Sequence, residues 1–436
     1  MKLAVVVQRY GANINGGAEL HARYIAEHLG RHAEVEVVTT CAVDYVSWRN
    51  ELPSGREIVN GQTVHRFQVD HERDVKVFAR RSDQVFERSH SQQDELAWLD
   101  SEGPASRTLI SYLRAHRQTY DFFLFFSYRY YHAYHGVRAV GPRAVLVPTA
   151  ERDEAIGLSM FGPVFRGVRA LMYNSPEERA MITAAAHNDA VPGVVVGIGS
   201  DVPQRTEPLR FRQKYNINGR FAVYVGRIDA NKGCRELFDF FLRYTKAHPV
   251  GLTLVLVGRA VLGIPDHPRI RHFGFLDDED KFDAVAAADL LLMPSFYESL
   301  SMVALEAWAL GRPVLANGRC DVLKGQCIRS NAGLYYETYE EFVEALRSIS
   351  ENALLAEALG VNGRWFYQRH YAWPVIEQKY LEVLQGLKAE DGAGRPTPSV
   401  APLPGWLARR RRDLPPAKEM LAQLPIGPVL NGRMPP

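Results

Sequence analysis

The sequence predicts an α/β protein built from two doubly wound units in tandem, with a cleft between them. The chain of 436 residues exceeds what one hydrophobic core usually serves. Short apolar runs alternate with helical or polar stretches, the pattern of a parallel sheet covered by helices. The order strand, glycine-containing loop, helix occurs twice, once near residue 3 and again near residue 221.

Taken in order, Leu3 to Val7 is a strand candidate followed by a Gly/Asn-rich loop (Gly11 to Gly17) and a helical pattern from Ala18 to Leu29. Val35 to Thr39, Val64 to Val69, Phe122 to Phe126, Ala144 to Val147 and Val194 to Val196 continue as strand candidates. The polar stretch after Gly197-Ile198-Gly199-Ser200-Asp201-Val202-Pro203 marks the division, giving a first Rossmann-like domain over residues 1–200 and a second over 201–370. The second opens with Phe221 to Val225, a loop from Gly226 to Gly233, a helix from Cys234 to His248 and the strand Leu252 to Val257. Leu290 to Met293, a helix from Leu300 to Leu310 and Pro313 to Ala316 complete it. Trp373-Pro374 breaks an aromatic-rich helical region, and residues 371–388 are expected as a last helix returning to the first domain. Residues 389–436 form a Pro/Arg-rich tail whose Trp406 and Arg409 to Arg412 suit peripheral attachment to an anionic membrane surface, beside the plainer reading of a loose extension.

Composition narrows the function. Hydrophobic residues at 46% and charged residues at 23% suit a globular enzyme, and a net charge of +2 gives no global field for nucleic acid. No apolar run reaches the roughly 18 residues of a membrane span, and the chain opens on a strand without a signal-peptide pattern, so a cytoplasmic location is expected. Cys41, Cys234, Cys320 and Cys327 have neither zinc nor redox spacing and read as free thiols.

Three loops carry chemistry. Pro294 to Glu306 places Glu298 and Glu306 with seven residues between them. With a helix starting near Ser299, both carboxylates share one face, and the backbone N–H groups of Ser299, Leu300 and Ser301 point at an anion such as a phosphate. Glu306 lies in an apolar stretch and needs a bonding partner, for which a ribose diol is suitable. Val225 to Gly233 offers Arg227 and Lys232, a pair able to neutralise a diphosphate, without the residue order of a Walker A loop. Gln8 to Glu19 contains Gly16 and Gly17, which let backbone approach a phosphate, without the GxGxxG of a dinucleotide fold. Alone, each loop also fits a solvated charge pair or an ordinary turn. Together, at strand ends in both halves, they converge only across a cleft.

These motifs resemble family four of the glycosyltransferases, of GT-B fold, over about residues 1 to 385. The matching elements are Gly16-Gly17-Ala18-Glu19, Gly226-Arg227-Ile228-Asp229 with Lys232-Gly233, the Glu-x7-Glu of Glu298 and Glu306, and Leu305 to Val314. The resemblance implies a retaining transfer of a hexose-type sugar from a UDP- or GDP-sugar to a carbohydrate or lipid-linked acceptor, as in cell-surface polysaccharide synthesis. It implies that Gly16 and Gly17 face the donor diphosphate, that Arg227 and Lys232 hold it, and that Glu298 bonds the sugar with Ser299, Leu300 and Ser301 nearby. Glu306 would hold the ribose and Gly274 would flank the base. The departing phosphate oxygen would accept the acceptor's proton, with no metal and no further cofactor. Many relatives carry a histidine after the strand matching Phe122 to Phe126; here the chain reads Phe126-Ser127-Tyr128-Arg129-Tyr130-Tyr131-His132. Tyr128, His132 or the cluster Glu151-Arg152-Asp153-Glu154 are the candidates to line the acceptor side instead. A nucleotide-sugar epimerase of the same fold and a non-catalytic binding subunit are the alternative functions.

Overall fold

The structure, a computed structural model, describes residues 1–14, 16–249 and 251–392. The tail feature of Trp406 and Arg409 to Arg412 lies outside the described residues.

The first sheet holds β1 (Lys2–Val6), β2 (Glu34–Thr40), β3 (Gly55–Val59), β4 (Gln62–Phe67), β5 (Phe122–Phe126), β6 (Ala144–Val147), β7 (Ala170–Tyr173) and β8 (Gly193–Val195), in the order β3-β4-β2-β1-β5-β6-β7-β8. All its pairings are parallel except the β3–β4 hairpin at one edge. The second sheet holds β9 (Phe221–Val225), β10 (Thr253–Val257), β11 (Ile270–His272), β12 (Leu290–Met293), β13 (Val314–Asn317) and β14 (Gly333–Tyr336), in the order β11-β10-β9-β12-β13-β14 and all parallel.

The strands are apolar throughout because both faces of each sheet are covered. Leu3 and Val5 enter one buried cluster while Ala4 and Val6 enter another on the opposite face. Phe221, Val223 and Val225 join the first cluster, and Ala222 and Tyr224 a third. The two-residue period of a strand makes this division.

In both sheets the chain reverses direction of growth at a central pair, β1 with β5 and β9 with β12. Loops leaving the carboxyl ends of such pairs diverge and open a crevice. Gln8 to Gly17 follows β1, Gly226 to Gly233 follows β9, and Pro294 to Ser301 follows β12.

After β14 the helices Tyr339–Glu351 and Ala353–His370 stay with the second sheet. The second of them lies close to the helix Met302–Ala309 because Gly360 and Gly363 lack side chains: a Cβ would stand 2.2 Å from the Gly311 carbonyl oxygen and 2.5 Å from Trp308, respectively. The last helix, Trp373–Gly392, crosses back. Its Glu377 accepts from His28 at 2.6 Å and His32 at 2.8 Å, Lys388 pairs with Asp121 at 3.1 Å, and the Tyr380 hydroxyl meets His21 at 3.3 Å. Pro374 sits in its first turn, where a missing N–H costs no helical bond. All four cysteines are buried and free, as their spacing predicts. No helix among the described residues is long and apolar enough to cross a membrane.

Candidate functional site

The loop after β9 is shaped by close backbone approach. Gly226, Gly258 and Gly274 have φ of 150°, 135° and 70°, values that favour glycine. Gly258 donates its N–H to the Gly274 carbonyl at 2.7 Å, and a Cβ on Gly258 would fall 2.0 Å from the Gly226 oxygen. Gly274 thus stands at the ends of β10 and β11, beside His272, whose ring meets the Gly258 carbonyl at 2.8 Å. Gly233, with φ 72°, starts the helix Cys234–Ala247 and lies so near Pro294 that a Cβ would be 2.0 Å from the Pro294 oxygen. That contact sets the β9 loop against the β12 loop.

Lys232 and Glu298 meet there, Nζ to Oε1 at 2.7 Å. Asp229 organises the approach: its Oδ1 accepts from the Lys232 N–H at 2.7 Å, and its Oδ2 pairs with the Arg227 Nε. Burial works against the Lys232 ammonium, but Glu298, Glu151 and Asp229 together raise it above the usual lysine value. Arg227 also reaches the first domain, donating from Nη1 to the Tyr45 hydroxyl at 3.0 Å. A second bond crosses the cleft from Asn174 to Ser299 at 3.3 Å.

One expectation needs correction. The helix after Glu298 begins at Met302, not near Ser299, so Ser299, Leu300 and Ser301 precede its first turn, and the two glutamates do not lie on one helix. The physical cause is the second serine. Ser301 is the N-cap, at φ 93°, and its Oγ accepts from the Ala304 N–H at 3.3 Å, leaving Glu298 in the loop before it.

Glu306, 4% exposed, takes one bond from Ser200 at 2.8 Å and one from Lys281 at 3.4 Å, both on Oε1. Its Oε2 is buried without a partner. Burial raises its pKa, with Lys281 and Ser200 opposing. A buried acceptor left open is costly unless something else donates to it.

The first-domain loop is different. Arg9 donates from Nε and Nη2 to Glu19 Oε1 at 2.8 and 2.5 Å, and from Nη1 to the Val43 carbonyl at 2.6 Å. Gly16 makes room for this pair, since a Cβ would lie 2.1 Å from Glu19 Oε2. Gly17 opens the helix Gly17–Leu29, and a Cβ there would meet nothing within 4 Å.

At the ends of β5 and β6, Ser127 and Thr149 both have positive φ (66° and 47°) and share a 2.7 Å hydroxyl bond. Tyr128 and His132 are buried. Tyr128 donates to Asp153 at 3.1 Å, and His132 Nε2 meets the Phe126 carbonyl at 2.8 Å, with burial pushing its pKa down to about 4. Arg152 crosses to Asp321 at 3.1 Å. Glu151, half-buried at the end of β6, feels the charges of Lys232 and Glu298 across the cleft.

The structure therefore gathers Arg227, Lys232, Glu298 and Ser299 where the halves meet. It places Glu306 farther along the same domain and Gly274 at the neighbouring strand ends. Sequence reading missed Asp229, Tyr45, Asn174, Ser200 and Lys281 as partners. Only Asp229 and Ser200 lay within segments whose composition drew notice.

Comparison with known proteins agrees on the fold of the whole chain and finds a family match within its second half. Residues 219–352 match the family described as Glycosyl transferases group 1. Mannosylfructose-phosphate synthase of Agrobacterium fabrum is 30% identical over 122 residues, covering 24% of this chain and 26% of that protein. Glycogen synthase of Mycobacterium tuberculosis is 28% identical over 197 residues, covering 41% and 45%. O-antigen chain mannosyltransferase B of Escherichia coli is 27% identical over 158 residues, covering 34% and 39%. The chain thus spans less than half the length of these curated relatives. Among solved structures, sucrose-phosphate synthase from Thermosynechococcus elongatus superposes with a TM-score of 0.66 at 17% identity, over 89% of this chain and 99% of that one. Anabaena HepE in complex with UDP-glucose gives 0.63 at 17% identity, over 88% and 100%. Residues 219–352 thus carry the likeness to the Glycosyl transferases group 1 family, and a GT-B fold runs through both halves of the chain.

Proposed function

We propose that the protein is a retaining glycosyltransferase moving a hexose from a UDP- or GDP-linked donor to a glycan, lipid-linked or small-molecule acceptor in polysaccharide or glycan assembly. The observation that carries this reading is the 2.7 Å pair of Lys232 and Glu298 at the meeting of two strand ends, with Arg227 alongside. A donor diphosphate entering the cleft competes with the carboxylates for both cations. Glu298, released, bonds hydroxyls of the transferred sugar. The open Oε2 of Glu306 suits a ribose hydroxyl, and Gly274 flanks the base.

The reaction asks the protein to hold two substrates and to stabilise charge on the leaving nucleoside diphosphate. Lys232 and Arg227 supply that charge without a metal or a further cofactor. The acceptor enters from the first-domain loops on the face the diphosphate leaves, so configuration is kept. The HepE complex with UDP-glucose supports a nucleotide-sugar donor, and the likeness to the E. coli O-antigen chain mannosyltransferase B supports a role in glycan assembly. In this reading the protein works in the cytoplasm, at the inner face of the membrane when its acceptor is lipid-linked.

Calorimetry with UDP-glucose and GDP-mannose, followed by transfer to a bacterial glycan extract and NMR of the new linkage, tests the proposal. One donor binds and the product keeps the donor's anomeric configuration. Binding of neither donor, release of an epimerised sugar, or an inverted product contradicts it.

A further inference from the structure

Arg227 is gripped from both halves of the molecule. Its Nη1 crosses to the first domain and donates to the Tyr45 hydroxyl at 3.0 Å, while Asp229 takes its Nε from within the second. Its Nη2 takes no hydrogen bond among the described residues, so part of the planar fork is unspent. The two grips differ in charge. Asp229 partly neutralises the cation, whereas a neutral hydroxyl orients it and leaves its charge to a diphosphate.

The loop that presents Tyr45 is tightly anchored. Asp44 accepts from the N–H groups of Val46 at 2.9 Å and Ser47 at 2.5 Å, and from the Ser47 hydroxyl at 2.5 Å. Arg9 holds the Val43 carbonyl at 2.6 Å, and Arg73 holds the Tyr45 carbonyl at 3.0 Å. The backbone at Tyr45 is thus fixed, yet the residue is 43% exposed and fills no core. Its ring centre lies 5.6 Å from the Arg9 guanidinium and 5.7 Å from that of Arg227, both within cation–π range.

We propose, resting on the glycosyltransferase reading above, that Tyr45 is a positioning residue of the transfer: from the first domain it holds Arg227 in the orientation that meets the departing diphosphate. Charge grows on that diphosphate as its bond to the sugar breaks, so a correctly aimed Arg227 lowers the barrier more than it strengthens donor binding. The second domain completes its cation site only with a group of the first. The leaving charge is therefore met in full only when the two halves are closed on each other. Tyr45 itself touches no reacting atom and exchanges no proton.

The test uses the full chain with UDP-glucose and GDP-mannose as donors and a bacterial glycan extract as acceptor, reading nucleotide release. Tyr45→Phe keeps the ring and removes only the hydroxyl. It is expected to lower kcat by about tenfold, with donor KM and calorimetric affinity for UDP or GDP within about twofold of the wild type. Arg227→Lys replaces the fork by a point charge that a hydroxyl cannot aim, so adding Tyr45→Phe to it lowers kcat by no more than about twofold further. Tyr45→Phe with the wild-type kcat, or with a loss confined to donor KM, overturns the proposal. So does an equal fall in kcat in the Arg227→Lys background, because the tyrosine then acts independently of Arg227. A wild type that binds neither donor, or turns over neither, removes the glycosyltransferase reading and this inference with it.

Discussion

The loops after β1 and after β9 occupy equivalent places in their sheets, each leaving the strand at a reversal of sheet growth, and each carries arginine and an acidic partner. They are built for different ends. The Arg9 and Glu19 side chains are 11% and 6% exposed, and Arg9 spends its third donor nitrogen on a backbone carbonyl. Arg227 and Lys232 are 41% and 30% exposed and face the other domain. The same topological position thus holds a buried ion pair in one half and more exposed, carboxylate-paired cations in the other. What separates them is exposure and competition for the cation, not residue type.

Breaking the buried pair is expected to cost most. Arg9→Ala leaves Glu19 buried and unpaired, a change worth about 3–5 kcal/mol of stability. Urea unfolding reads it, and a loss below about 1 kcal/mol would show that the pair contributes no more than an exposed one. Lys232→Ala acts on the other side of the comparison: transfer falls by roughly a hundredfold or more, near 3 kcal/mol of barrier, while unfolding free energy moves by less than about 1 kcal/mol. Steady-state rates and the same urea titration check both halves of that statement. The smallest effect belongs to Gly17→Ala. Open space surrounds its missing Cβ, so stability changes by under about 0.5 kcal/mol. If the donor diphosphate lies against this glycine, UDP-glucose affinity drops by about tenfold, or 1.4 kcal/mol, in calorimetry.

Much of this architecture is legible in the sequence. Phe122–Phe126, Ala144–Val147, Phe221–Val225 and Leu290–Met293 are found at the residues expected, because strands buried on both faces are apolar from end to end. Gly55–Val59 is not legible: as an edge strand its residues are exposed or half-buried, and Gly-Arg-Glu-Ile-Val shows no core pattern. The three-residue strand Ile270–His272 is too short to carry a period. At the site, Arg227, Lys232, Glu298 and Glu306 stand out through spacing and through charge in apolar surroundings. Their partners do not. Tyr45 meets Arg227 across 182 positions and Ser200 meets Glu306 across 106, contacts that only the folded chain creates. The start of the helix at Met302 was misplaced because either serine of Ser299-Leu300-Ser301 can cap, and local sequence does not choose between them.

The central claim is that a nucleotide diphosphate takes Lys232 from Glu298 where the two halves meet. A crystal structure with bound UDP or GDP tests it most directly. The account predicts Lys232 Nζ and the Arg227 guanidinium within hydrogen-bond distance of phosphate oxygens and Glu306 Oε2 on a ribose hydroxyl. A nucleotide bound elsewhere, with the Lys232–Glu298 pair still closed at 2.7 Å, would contradict it.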